Sequence, residues 1–274
     1  MAELVVRRLL IDLTEPFPRH WNGGDAFKSA FLNALSMSFP VGEQFFIDAV
    51  REGVKALPAA EQERFKAEVA GFIGQEATHR RIHGLFNGHL QRQGYANTWE
   101  TRAKKRIERM RGLNVRHPLA VTAAYEHFTA ILAEHLLAYP HTISDDVPRL
   151  KTMWLWHAAE ESEHKSTAFD LYQALGGNHK WRMRWFYIVT LYFMVDATRQ
   201  TVRNLWHDGE LFKWRTWKSA ASFLFGAEGL VSRTCKAWGA YKSDNFHPTQ
   251  QETDRSATWL RDHAAQFTVV GQGR

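Results

Sequence analysis

Residues 153–168 read Met-Trp-Leu-Trp-His-Ala-Ala-Glu-Glu-Ser-Glu-His-Lys-Ser-Thr-Ala, with no proline or glycine to interrupt a helix. On a helix His157, Glu161 and His164 fall at i, i+4 and i+7 and share one face. Leu150, Met153, Trp154, Ala168, Leu171 and Leu175 continue that stripe above and below, which marks it as the buried side. A carboxylate and two imidazoles aimed into a core cost several kcal/mol unless something satisfies them. Bound metal is the expected partner, with other helices supplying the rest of its shell.

Working outward, three more long helices carry a glutamate on an apolar stripe. A helix over 26–57, capped by Asp25 and broken or kinked at Pro40, lines up Leu32, Leu35, Phe39, Glu43, Phe46, Val50 and Val54. A second, opened by Pro58 and reaching about Gln93, lines up Phe65, Val69, Phe72, Glu76, His79, His83, Phe86 and Leu90. A third, from Pro118 to about Ala138, lines up Leu119, Thr122, Glu126, Ala130, Ala133 and Leu137. The fourth holds the opening stretch, is capped by Ser144 or Asp145, and ends at Gly176-Gly177.

The chain order is therefore Glu43, then Glu76-x-x-His79, then Glu126, then Glu161-x-x-His164. Helical bundles hold two iron or manganese ions by this arrangement. Glu43 to Glu76 is 33 residues and Glu126 to Glu161 is 35, each suiting an antiparallel helix pair. The 50 residues from Glu76 to Glu126 leave room for a crossover, with a short charged helix over 97–111. The predicted fold is all-α: a ferritin-like four-helix bundle with a dimetal-carboxylate core, plus additional C-terminal helices. Residues 1–274 read as a single domain, with the bundle at about 24–177 and aromatic, basic helices packed on it from about 178.

A plainer reading pairs Glu76 with Arg80 and Glu161 with Lys165 as i, i+4 salt bridges. Glu43 and Glu126 have no basic residue three or four positions away, so that reading fails for them. His157 can ligate directly or hydrogen-bond a ligating carboxylate. His83, Glu160 and Gln75 are further candidates for an extra ligand or for such a hydrogen bond. His127 and His135, expected to be exposed, and His247 read as structural; Tyr125 and Trp156 flank ligand positions and read as core packing.

Composition narrows the class. Hydrophobic content of 45% and aromatic content of 13% fit a folded chain rather than a disordered one. The single cysteine, Cys235, excludes a disulfide framework and cysteine-based zinc or iron–sulfur sites, and fits a reducing cytoplasm. Glu3, Arg7, Arg8 and Asp12 punctuate the N-terminal apolar residues, which argues against a signal peptide; residues 3–13 read as extended. The apolar run Trp185–Val195 is too short to cross a bilayer. Thirty-five basic against 29 acidic residues leave +6, a mild bias that suits solubility. No recognition motif accompanies it, so nucleic acid is not an expected partner.

In the last third, helices are expected over 180–206, 211–241 and 252–265. Lys180, Trp181, Arg182, Arg184 and Trp185 open the first, and Lys213, Trp214, Arg215, Trp217 and Lys218 the second. Packing over the bundle, with arginine stacked on tryptophan, is the preferred reading. Peripheral contact with the inner membrane is the alternative.

Several pieces together resemble a bacterial family labelled predicted metal-dependent hydrolases. They are Phe39-Pro40-Val41-Gly42-Glu43, Gln75-Glu76-Ala77-Thr78-His79 with His83, Glu126-His127-Phe128-Thr129, the stretch from Trp156 to Lys165, and Phe246-His247-Pro248. More distantly, His157, Glu161 and His164 resemble the ligand helix of p-aminobenzoate N-oxygenases, which are ferritin-like diiron enzymes. That second resemblance implies a shell of Glu43, Glu76, His79, Glu126, His157, Glu161 and His164 around two Fe ions, with Mn or a mixed Fe/Mn pair as variants. It implies an O2-activating oxygenase or oxidase, an N-oxygenase among the options, acting on a small molecule. An electron-donor reductase would then be a partner. The family label implies instead hydrolysis at a dinuclear centre. No Ser/His/Asp arrangement and no His-Glu-x-x-His motif accompanies it. Iron storage or ferroxidase activity is the non-enzymatic alternative.

Overall fold

The computed structural model describes residues 4–251 and 254–271. Glu3 and the expected start of the last helix, at 252, lie outside the described residues. The helices are α1 Ala26–Lys55, α2 Ala59–Arg92, α3 Thr98–Arg109, α4 Arg116–Ala138 and α5 Pro148–His164. They continue as α6 Thr167–Ala174, α7 His179–His207, α8 Trp214–Phe225, α9 Leu230–Ala240 and α10 Asp254–Asp262. Two short strands, β1 Arg7–Leu9 and β2 Phe267–Val269, pair antiparallel and tie the two ends of the chain together. The fold is all-α but for that ribbon.

Asp25 caps α1 as expected, its side chain accepting from the Lys28 N–H. Residues 56–58 turn the chain, so α1 and α2 run back along one another. The α4 helix packs on α5 and α6, α1 meets α4, and α2 meets α5, so the glutamate-bearing helices close on each other. The α3 helix makes the crossover, and α7 lies along α1 and α4. Phe72 from one apolar cluster touches the His164 ring, and Trp156 from a second touches the His79 ring. The polar centre is thus sealed by apolar side chains from two sides.

Several local expectations are corrected. The α1 helix runs through Pro40 without a break. Proline strips the Ser36 carbonyl of its helical donor, and the Asn87 side-chain amide donates to that carbonyl at 2.8 Å. The Met37 carbonyl likewise accepts from the Asn97 amide at 2.7 Å. The fourth helix is not continuous: it is interrupted at Lys165 and Ser166, which keep right-handed helical dihedrals. The interruption therefore loses hydrogen-bond register without reversing the chain. Neither Ser144 nor Asp145 caps α5, which starts with Pro148 in its first turn. The Ser144 N–H donates instead to Asn22 Oδ1 at 2.6 Å, which commits that residue to the preceding loop. The expected helix over 211–241 is split between α8 and α9 at 226–229. A Cβ on Gly229 would sit 2.7 Å from the Leu224 carbonyl oxygen, so this turn is held by a close backbone approach.

The N-terminal segment crosses α2 at two glycines. A Cβ on Gly71 would lie 2.4 Å from Leu4 Cβ, and one on Gly74 would lie 2.3 Å from Val6 Cγ2. Gly84, on the same helix, has nothing within 4 Å. Alanine gains about 1 kcal/mol over glycine in a helix interior. Gly84→Ala is therefore expected to stabilise the protein by up to that amount. Gly74→Ala has the same gain, but overpacking costs about 1–3 kcal/mol, so it is expected to melt lower than Gly84→Ala. Thermal denaturation of the two variants side by side checks this.

Candidate metal centre

Each helix delivers its glutamate to one point. Glu43 comes from α1, Glu76 and His79 from α2, Glu126 from α4, and His157, Glu161 and His164 from α5; all are buried. Their donor atoms form three overlapping triads, each spanning no more than 4.8 Å: Glu43, His79 and His157; His79, Glu161 and His164; Glu76, Glu126 and His164. Glu161 Oε1 is the hub, 2.7 Å from His157 Nε2, 3.5 Å from His79 Nδ1 and 3.8 Å from His164 Nε2. At one end Glu43 Oε1 lies 3.9 Å from His157 Nε2. At the other, His164 Nδ1 is 2.9 Å from Glu126 Oε2, and its Nε2 is 3.9 Å from Glu76 Oε1.

Many of these atoms meet no N–H or hydroxyl donor. Both oxygens of Glu43 and Glu76, Glu126 Oε1, Glu161 Oε2, His79 Nδ1 and His164 Nε2 are enclosed and unpartnered. Folded proteins leave few such groups, because each costs about 1–3 kcal/mol. Here they converge, and their donors are carboxylate oxygen and imidazole nitrogen, which suit iron, manganese or zinc. The residues present fit bound metal. The surface-pair reading does not hold: Lys165 donates to the Gln251 carbonyl, and Glu76 faces Glu126 and His164.

Without metal the cluster balances its charge by moving protons. Burial raises Glu43 well above the usual carboxylate range, and burial with the neighbouring Glu126 and Glu161 does the same to Glu76. Burial also raises Glu126. Glu161 goes well below that range: burial opposes ionisation, but His164, a hydrogen bond to His157 and the nearby His79 outweigh it. Burial pulls the His79 imidazole down, yet its hydrogen bond to Glu160 and the nearby Glu161 carboxylate carry it up to about 10. His164 is raised against burial by Glu126 and Glu161. His157 is pushed down to about 4 by burial and by His79.

The three further candidates sit behind the cluster rather than in it. His83 shares a 2.7 Å hydrogen bond through Nε2 with His157 Nδ1, and its own Nδ1 lies 2.8 Å from Ser36 Oγ. That contact leaves His157 Nε2 free to face Glu43 and Glu161. Glu160 shares a 2.9 Å hydrogen bond with His79 Nε2 and is held by the Arg7 guanidinium at 3.1 Å. Gln75 donates to Glu163 and to the Val5 carbonyl, which turns it away from the other carboxylates. The sequence alone gives Arg7, Ser36 and Asn87 no part in the site. Arg7 reaches Glu160 and Glu163 across more than 150 residues, and no local periodicity marks such a contact.

Two cavities reach the centre. A chamber of about 340 Å³ is walled by α1, α3, α4 and α7, including Phe46, Trp99, Tyr125, Phe128, Val189 and Phe193, and Glu43 and Glu161 open into it. Tyr125 is therefore a pocket residue as well as a packed one, and burial pushes its hydroxyl up to about 12. A second cavity of about 40 Å³, lined by Phe31, Leu35, Leu132 and Leu136, ends on His157 and Glu161. His127 and His135 are buried, not exposed, because the C-terminal helices cover α4. His127 packs on Tyr241 and Phe246, and burial lowers it to about 4. His247 is bound to Asp170, and Trp156 is fully buried, as their structural reading requires.

Residues 5–252 match the family model described as predicted metal-dependent hydrolase. The chain belongs to that family. No curated protein and no solved structure matches the chain. The description supports metal dependence and a hydrolase, the alternative drawn from the sequence, over the oxygenase reading.

Two outcomes follow for the cluster. Glu76→Gln removes a carboxyl whose ionisation burial and the neighbouring carboxylates oppose, so the metal-free variant is expected to melt higher than the parent by a margin that grows as pH rises above the usual carboxylate range. The same variant is expected to lose at least one bound ion; melting curves with metal analysis check both. Donor atoms must shed protons before they bind metal. His79, His164, Glu43, Glu76 and Glu126 are all raised, so metal uptake at neutral pH is expected to release protons. Uptake is expected to tighten as pH climbs towards the His79 value of about 10. Calorimetry in buffers of different ionisation enthalpy measures the release.

Proposed function

We propose that the chain is a metal-dependent enzyme with two ions held by Glu43, Glu76, His79, Glu126, His157, Glu161 and His164. Its substrate is a small, largely apolar molecule seated in the chamber at Glu43 and Glu161. The observation that carries this reading is the group of enclosed, unpartnered carboxylate and imidazole atoms beside that chamber. One glutamate from each of two helices and Glu-x-x-His from two others support a ferritin-like bundle with iron, manganese or a mixed pair.

Bound metal supplies Lewis acidity and activation of water or dioxygen. The protein's own residues set the stage. The Arg7–Glu160 pair fixes the His79 ring, and Ser36 with His83 fixes the His157 ring. Phe39 packs edge-on against both His83 and His157 and helps keep water from the nitrogen-rich end. The chamber walls hold an apolar substrate against the two carboxylates that open into it.

Hydrolysis of an ester, amide or phosphate is the reading the family description favours, and it needs neither oxidant nor reductant. A specific observation supports the oxygenase reading as a second one. The 40 Å³ cavity that ends on His157 and Glu161 has nearly all-apolar walls and suits a small apolar gas better than water. Iron-loaded protein prepared without oxygen separates the two. Turnover of apolar esters or phosphate esters under anaerobic conditions supports hydrolysis. A transient visible band with oxygen uptake, and no anaerobic turnover, supports oxygen chemistry. Iron mineral build-up without substrate turnover would overturn both. Under either reading Val189→Trp, which fills the chamber, is expected to cut turnover at least tenfold with metal content unchanged.

A further inference from the structure

The α7 helix has two apolar faces. Phe186, Val189 and Phe193 pack inward, while Tyr187, Leu191, Met194 and Val195 are exposed, Leu191 at 62%. Trp206 follows Val195 by 11 residues, three turns, so it extends the same outer stripe, and Phe212 packs on it. The α8 helix repeats the pattern. Ala220 and Phe223 pack against Ala26, Phe27 and Leu205, while Trp214, Trp217 and Phe225 face out with Lys218 between them. Such exposure is unusual for aromatic side chains on a water-facing surface.

Charge shows what covers this surface. Residues 179–225 hold three acidic side chains, Asp196, Asp208 and Glu210. Each is turned inward and paired, at 2%, 2% and 5% side-chain exposure: Asp196 with Arg102 and Arg106, Asp208 with Arg19, Glu210 with Lys213. Lys180, Arg184, Arg199, Arg203, Arg215 and Lys218 are all exposed. The segment therefore presents aromatic rings and positive charge with no negative charge at all. A second copy of the same face would be repelled, and a nucleic acid would leave the aliphatic side chains of α7 uncovered.

We infer that the outer faces of α7 and α8 dock on an anionic lipid bilayer. Tryptophan and phenylalanine enter the headgroup region while lysine and arginine meet lipid phosphates. The attachment is peripheral, since no helix among the described residues is long and apolar enough to cross a membrane. The chamber lies against this surface: Tyr192 and Leu113, both exposed, line it, and Arg106 sits 4.5 Å over the Tyr192 ring. Docking itself does not depend on the metal chemistry.

Flotation of the metal-loaded full chain with lipid vesicles tests the inference. Vesicles of phosphatidylcholine with about 30% phosphatidylglycerol are expected to bind at least tenfold more protein than pure phosphatidylcholine, with the difference collapsing at high salt. Leu191→Glu and the double variant Phe212→Ser with Trp214→Ser change exposed positions only. Each is expected to lose at least tenfold in vesicle binding while metal content and circular dichroism stay as in the parent. Absence of binding to the anionic vesicles overturns the inference, as does equal binding by parent and variants. Ultracentrifugation closes the remaining case: a dimer that Leu191→Glu dissociates, with no vesicle binding, would assign the face to self-association instead.

Discussion

Four carboxylates and three imidazoles enclosed together are the constraint around which this fold is built. Burying ionisable groups is among the costliest things a chain can do. Within the cluster that cost appears as opposed shifts: Glu43 and Glu76 are pushed well above the usual carboxylate range, Glu161 is held well below it, and His79 and His164 are raised. That arrangement leaves carboxyl oxygens and imidazole nitrogens without hydrogen-bond partners at the centre of the helices. The resulting instability is local and directional, and bound cations would remove it.

The surrounding structure serves mainly to keep these side chains from relaxing outward. One support starts at Pro40. The carbonyl it frees at Ser36 takes Asn87, and the Ser36 hydroxyl donates to the Asn87 side-chain carbonyl while lying beside His83 Nδ1. His83 in turn orients His157. A residue that breaks helices elsewhere is here the first link of a chain ending on a site imidazole. A second support starts at the paired termini. β1 pairs with β2, and Gly71 and Gly74 let the N-terminal segment lie close on α2. Arg7 then reaches Glu160, and Glu160 holds His79. Both supports act on imidazoles of the nitrogen-rich end.

The helical stripes made the cluster legible in advance because the information is local. Glutamate at the middle of an apolar face can be read from 3.6-residue periodicity alone, and the four positions emerge from four separate windows. The supports could not be read in that way. Arg7 and Glu160 meet through tertiary packing, and the strand pair joins the two ends of the chain. The rescue of Pro40 depends on Asn87 and Asn97, two residues on other elements. The burial of His127 and His135 was missed for a similar reason. Each faces away from the main stripe of α4, and only the helices arriving from the last third of the chain cover them. The interruption at Lys165 and Ser166 has no proline or glycine to announce it.

The centre is also asymmetric, and the asymmetry bears on the proposed chemistry. Glu43 and Glu161 line the large chamber, and His157 and Glu161 line the small cavity, whereas Glu76, Glu126 and His164 line neither. Phe72 packs against His164, so that end is walled by the core. An enclosed, carboxylate-rich end is suited to holding an ion permanently, because its donors have no competing solvent. The nitrogen-rich end has access from two directions and only one carboxylate of its own besides the shared Glu161. Any molecule entering from the chamber therefore meets Glu43 and Glu161 first, and any small molecule entering from the other side meets His157 and Glu161. Glu161 stands at both doors and at the hub of the cluster, and its carboxyl is held well below the usual range while Glu43, Glu76 and Glu126 are raised. Under the proposed function, the entrance to the reaction lies at that side chain.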